Sequence, residues 1–230
     1  MSEIYHVLSR GVDRRKIFMD DRDRMRFIHD LFEFNDQQPV NNSFHRFSQN
    51  NNIVSHHINV KKRPRKLLVD LLAFCLMPNH YHLLLRPRIE RGISQFMKKL
   101  NIGYAKYFNE RYKRTGTLFE GRYKSIIVNN DAHFIHLPYY IHLNPLDLKF
   151  KEWRSGELRS VREAMKFLNS YRWSSHLDYM DNKNFPSVTQ RNLLNDFWGG
   201  AKNYKKGIAE WLKELDSENI FDIKDLILED

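Results

Sequence analysis

Apolar and polar positions follow two different periods along this chain, and the switches between them mark its elements. In IYHVLSR (4–10) they alternate as in a half-buried strand, and Arg10-Gly11 supplies a turn. DDRDRMRFIHDLFEF (20–34) changes period: Met25, Ile28, Leu31 and Phe32 recur at three and four, which predicts a helix capped by Asp20 or Asp21. KLLVDLLAFCLM (66–77) and HYHLLLR (80–86) are apolar runs of strand length on either side of Pro78 and Asn79, two turn formers, and together they predict a β-hairpin. From Gly92 the helical period returns, with Ile93, Phe96, Met97, Leu100, Tyr104, Tyr107 and Phe108 on one stripe. GRYKSIIV (121–128) reads as a further strand, and DAHFIHLPYYIHLN (131–144) as a further helix that Asn144-Pro145 ends.

The order strand, helix, strand, strand, helix, strand, helix predicts an α+β fold, ferredoxin-like in outline, with an antiparallel sheet and helices on one face. Residues 36–65 interrupt it with an Asn- and His-rich stretch that lacks periodicity and is expected to be a loop insertion. Beyond about residue 150 the chain is helical or irregular, and residues 214–230 turn acidic. The division expected is therefore a catalytic domain over 1–150 and a small helical C-terminal region over 151–230. Pro138 cannot donate to the carbonyl of Phe134, so the last helix is expected to restart there, with Tyr140 near its new amino end.

Charge narrows the partners. The 38 Lys and Arg against 28 Asp and Glu give a formal charge of +10, which favours a polyanion, and 13% aromatic residues among the basic ones favour nucleic acid over an anionic membrane. The single cysteine, Cys75, excludes a disulfide scaffold and sits in an apolar run as a core residue would. The start MSEIYHVLSR has no apolar signal segment, and LLVDLLAFCLM is short and broken by Asp70, so a soluble, cytoplasmic protein without a membrane partner is expected.

Candidate chemistry begins at HYH. On a strand, residues i and i+2 share a face roughly 7 Å apart, so His80 and His82 can offer imidazole nitrogens to one cation; the competing reading is two histidines satisfied at a strand edge. Tyr140 and Asn144 stand one helical turn apart on one face. A phenol, with an intrinsic pKa of about 10, attacks phosphate poorly unless a metal polarises the phosphate or a base takes its proton. Two imidazoles and an amide oxygen could hold such a metal beside Tyr140, whereas Tyr139 lies about 100° around the helix and cannot share that face. Tyr140 also reads as a half-buried packing aromatic. Arg10, at the end of the first strand, and Arg122 and Lys124, on one face of GRYKS, could line a groove for a phosphate backbone.

These residues resemble a known family. MPNHYHLLL, RYKRTGTLFEGRYKS, YIHLNP and RWSSH, in that order and preceded by YHVLSRGVDRRKIF and DRDRMRFI, are similar to the single-tyrosine HUH transposases, above all to the REP-associated tyrosine transposase group, over roughly residues 4–180. The resemblance implies a DNA transposase and single-strand endonuclease that binds single-stranded or hairpin DNA and uses Mg²⁺ or Mn²⁺. His80, His82 and Asn144 then match the metal ligands and Tyr140 the nucleophile, which forms a 5′-phosphotyrosine link and frees a 3′-hydroxyl. It also favours a monomer, with a homodimer that exchanges tyrosines as the alternative. The alternative reading is a domesticated hairpin-DNA-binding protein with a host role and no transposition.

Overall fold

The computed structural model describes residues 3–39, 64–128, 131–214 and 228. The elements of the first two thirds are β1 (Ile4–Arg10), α1 (Asp21–Glu33), β2 (Val69–Met77), β3 (His80–Pro87), α2 (Gly92–Arg111), β4 (Lys124–Val128) and α3 (Asp131–Leu143). The four strands form one sheet in the order β2-β3-β1-β4, and every neighbouring pair is antiparallel. This is the α+β, ferredoxin-like arrangement expected from the order of elements. Most of the 36–65 insertion lies outside the described residues.

Local chemistry accounts for the ends of these elements. Asp20 caps α1, its carboxylate accepting from the Asp23 amide at 3.1 Å. The Pro78-Asn79 turn joins β2 to β3 and is bolted to the segment after β1: Gly11 N–H donates to the Asn79 carbonyl at 2.8 Å and Ile17 N–H to the Pro78 carbonyl at 2.9 Å. β4 begins only at Lys124, so Arg122 lies before the strand and not on one strand face with Lys124, as the pattern had suggested. The apolar alternation that defines a strand starts at Ser125-Ile126, and the preceding residues instead follow the loop that crosses β1, where Glu120 N–H donates to the Arg10 carbonyl at 2.8 Å.

The two faces of the sheet are covered differently. Val7, Phe74, Leu76, Tyr81, Leu83 and Leu85 pack on α1 and α2 through Phe27, Leu31, Phe96, Leu100 and Tyr104. The opposite face is not left to solvent. Leu72, Ala73, Cys75, Met77 and Leu84 pack on Leu137 and Ile141 of α3 and on the C-terminal helices α4 (Val161–Ser170), α5 (His176–Tyr179), α6 (Asn192–Trp198) and α7 (Ala201–Lys213). Helices therefore lie on both faces, not on one. The reason is visible in β2, whose residues are all buried: the apolar run from Leu71 to Met77 needs cover on both sides.

α3 also corrects an expectation. It runs without a restart from Asp131 to Leu143, with Pro138 inside it. An internal proline costs about 3 kcal/mol. Leu137, Tyr139, Tyr140, Ile141 and Leu143 are all buried, and each such side chain stabilises by about 1.5–3 kcal/mol, so packing outweighs the lost hydrogen bond.

Candidate active site

The pairing register determines which side chains share the α3 face of the sheet. Arg10 lies opposite His80, with Met77 across from His80; Leu8 lies opposite His82 and Lys124, with Cys75 across from His82; His6 lies opposite Leu84. Directly opposed residues project to the same side. His80, His82, His6, Arg10 and Lys124 thus stand on one surface, while Tyr81, Leu83 and Leu85 point into the other layer.

The two histidines of HYH meet edge to face, with ring centroids 5.0 Å apart. Each has its Nδ1 held. The Asn79 side-chain oxygen lies 2.8 Å from His80 Nδ1, and His6 Nε2 lies 2.9 Å from His82 Nδ1. Partners of this kind orient imidazoles from behind and assign any metal-binding role to Nε2 of each ring. His6 also stacks on His82, with centroids 5.2 Å apart. The alternation in IYHVLSR put His6 on a strand, but only the register reveals that it backs His82.

α3 brings Tyr140 over this pair. Its ring meets that of His82 edge to face at 6.3 Å, and it is 1% exposed. Asn144 follows one turn later, where the α-helix passes into a short 3-10 turn (Asn144–Leu148). Its amide Nδ2 donates to the Tyr140 carbonyl at 2.9 Å, which fixes the side chain and satisfies a carbonyl of the last turn. Its Oδ1, the atom able to ligate a cation, accepts from Arg154 Nη2 at 3.0 Å. Among the described residues no third His, Cys, Asp or Glu joins the histidines in a cluster suited to a metal. His80 and His82 offer two imidazoles of defined orientation, and Asn144 Oδ1 is a neutral oxygen of the kind a divalent ion accepts beside water or phosphate oxygens.

Tyr139 goes the other way. It stacks on Trp198 at 5.3 Å, packs against Tyr204 and Trp211, and burial pushes its phenol up to about 12. His136, which shares a face with Tyr140 by spacing, stacks on Trp211 at 5.7 Å. A buried chain of hydrogen bonds runs behind α3 from His142. Ser175 Oγ accepts from Phe74 N–H at 2.9 Å and lies 2.7 Å from His142 Nε2. His142 Nδ1 lies 2.9 Å from Tyr204 Oη, which lies 2.7 Å from His176 Nδ1, and His176 Nε2 lies 3.1 Å from the Asn169 side-chain oxygen. With both imidazoles neutral, one orientation of the protons satisfies every link: Ser175 donates to His142, His142 to Tyr204, Tyr204 to His176, and His176 to Asn169. Burial accordingly holds His142 well below the usual histidine range and lowers His176 to about 4. RWSSH supplies Ser175 and His176, so this motif locks the tyrosine helix to β2 and α7.

A family model described as IS200-like transposase matches residues 2–144, more than half of the chain and every element that builds the sheet and α3. The chain belongs to the IS200-like transposase family. Among solved structures, one titled as a REP-associated tyrosine transposase bound to a REP hairpin matches at 11% identity and a TM-score of 0.46, covering 84% of this chain and 87% of the other. No curated protein sequence matches.

For a chain of the transposase family, the cleft beside the histidines gains meaning. Leu8, Ser9, Arg10, Glu120, Arg122 and Lys124 line it, so the three basic residues expected to meet DNA do converge, although Arg122 arrives from the loop and not from the strand. Lys124 Nζ also donates to the Leu228 carbonyl at 3.2 Å. Among the described residues no helix is long and apolar enough to cross a membrane. Arg154 has no signal in the sequence: it lies beyond the matched segment, in WRSG, with no periodicity to mark it.

Proposed function

We propose that this transposase-family protein is a single-strand DNA endonuclease and strand transferase, with Tyr140 as nucleophile, acting on hairpin or single-stranded DNA in the cytoplasm. The observation that carries the reading is the contact of Tyr140 with His82, which joins the phenol to the histidine pair within one chain. It supports a catalytic unit over residues 1–150, with 36–65 as an insertion and 151–230 as a helical region that packs behind the tyrosine helix. It also favours a monomer, since one chain carries both halves of the site.

In this reading His80, His82 and Asn144 would hold Mg²⁺ or Mn²⁺, which would supply Lewis-acid polarisation of the phosphate. Arg10, Arg122 and Lys124 bind and orient the backbone. The Tyr140 phenol oxygen attacks phosphorus; an O–P bond to tyrosine forms, the bond to the 3′ oxygen breaks, and the phenol proton is passed by way of solvent to that oxygen. One phosphodiester replaces another, so the step reverses to join strands without ATP.

The test is adduct formation in Mn²⁺ on a 3′-labelled pool of hairpin oligonucleotides with randomised single-stranded flanks. Wild type and Tyr139→Phe are expected to give a labelled covalent adduct, and Tyr140→Phe none. An undiminished adduct in Tyr140→Phe would remove the assignment. His80→Ala and His82→Ala are expected to abolish the adduct while hairpin binding persists.

A further inference from the structure

We propose that Arg154 is a catalytic residue of this site: its guanidinium compensates the negative charge that develops on the Tyr140 phenol oxygen during attack, and again when that oxygen leaves in strand joining. The inference rests on the reading of Tyr140 as the nucleophile and adds a residue ten positions beyond the family match.

The geometry is that of one fork used on both edges. Arg154 belongs to a short 3-10 turn (Lys151–Ser155) of the C-terminal region. Its Nε and Nη2 donate to the two carboxylate oxygens of Asp147 at 2.9 and 2.6 Å, the bidentate pairing that fixes a guanidinium in plane. Asp147 also accepts from Trp153 Nε1 at 2.6 Å, and the guanidinium lies over the Trp153 ring at 4.8 Å, so the carboxylate and the indole both hold the group in place. The remaining edge reaches the site: Nη1 donates to Tyr140 Oη at 2.6 Å, while Nη2 also donates to Asn144 Oδ1 at 3.0 Å. A guanidinium held only for an ion pair with Asp147 has no need of the proposed nucleophile.

The chemistry follows from what each group can do. Arginine stays protonated and is a donor only, so it is not the base that takes the phenol proton. Because the Tyr140 oxygen accepts from Arg154, its own hydrogen remains to be donated, and a lone pair is held in a fixed direction. When the proton leaves, the contact of a cation with a neutral oxygen becomes an N–H···O⁻ bond between opposite charges, which is the stronger of the two. The stabilisation therefore grows along the reaction coordinate, which is the requirement for catalysis as distinct from binding. Atoms balance as for the step above, because Arg154 gains and loses nothing. Asp147 is a positioning residue: it touches Arg154 and not the reacting oxygen.

The experiment uses the full chain, Mn²⁺ and the same 3′-labelled hairpin pool, with single-turnover adduct formation and hairpin binding both measured. Arg154→Ala is expected to bind the hairpins as the wild type does and to form adduct about 100-fold more slowly, the cost of removing one preorganised donor. Guanidinium ion at sub-denaturing concentration is expected to restore part of that rate, which it cannot do for a residue that only braces the fold. Should Arg154→Ala fail to fold, Arg154→Lys against Arg154→Gln replaces it, with the charged variant expected to be the faster. Wild-type rates in Arg154→Ala, absence of guanidinium rescue, or equal rates in the Lys and Gln variants would each overturn the role of Arg154 while leaving Tyr140 as nucleophile. No adduct from the wild type would instead overturn the nucleophile assignment and Arg154 with it.

Discussion

Nε2 of His6 lies 2.9 Å from Nδ1 of His82, and the two rings stack, so a residue from the first strand orients a histidine seventy-six positions later. Outer partners of this kind alter metal affinity by about 10- to 100-fold when removed. His6→Phe keeps a ring of similar size and deletes the hydrogen bond. Mn²⁺ binding to it, followed by electron paramagnetic resonance without DNA, is expected to weaken by about that factor. Unchanged Mn²⁺ affinity would show that His82 needs no partner behind it.

Tyr139 is kept out of the site by its contact with α7. A Cβ built on Gly207 would stand 2.3 Å from Tyr139 Oη, so no larger residue fits while the phenol stays in place. Gly207→Ala is expected to destabilise by about 1–3 kcal/mol, the usual cost of overpacking. Tyr139→Phe removes the obstructing oxygen, and the double variant is expected to recover most of the loss. Chemical denaturation of the four proteins reads the coupling, and strict additivity would contradict it.

The buried histidine chain makes stability depend on pH in a defined direction. His176 falls to about 4 in the folded state, so below the unfolded value near 6.5 the unfolded chain binds the proton more readily. Stability from this group is complete above about pH 7 and is lost as pH falls towards 4, by roughly 3 kcal/mol in all. His142 shifts the same way. Denaturation midpoints are expected to drop between pH 7 and 4.5, and the drop to shrink in His142→Gln/His176→Gln. An equal drop in that double variant would assign the effect to other groups.

Arg10 and Lys124 line one cleft, and each is expected to hold a phosphate. Loss of one contact to single-stranded DNA lowers the slope of log affinity against log salt by about 0.7. Arg10→Ala and Lys124→Ala are each expected to weaken hairpin binding more at low salt than at high salt, and to similar extents for different flanking sequences. A salt slope identical to the wild type would take either residue out of the interface.

Periodicity alone determined a good deal. The helices at 20–34 and 92–111, the hairpin about Pro78-Asn79 and the opposed facing of His82 and Leu83 all follow from spacing, because side-chain direction on a strand or helix is a local property. The i, i+4 relation of Tyr140 and Asn144 was legible for the same reason, and the Asn144 amide does reach the Tyr140 carbonyl.

What spacing could not carry was anything set by pairing or by packing at a distance. His6 becomes a partner of His82 only when β1 lies beside β3 in one register. Arg154 reaches Tyr140 only because the 3-10 turns after α3 fold back, and Pro138 stays inside a helix only because five buried neighbours outweigh one lost hydrogen bond. The apolar run of β2 contained the demand for cover on two faces, yet which helices answer it is decided by contacts between residues such as Phe74 and Ser175, a hundred positions apart. Local sequence sets the direction of a side chain; the free energy that selects its neighbour is released only when distant segments meet.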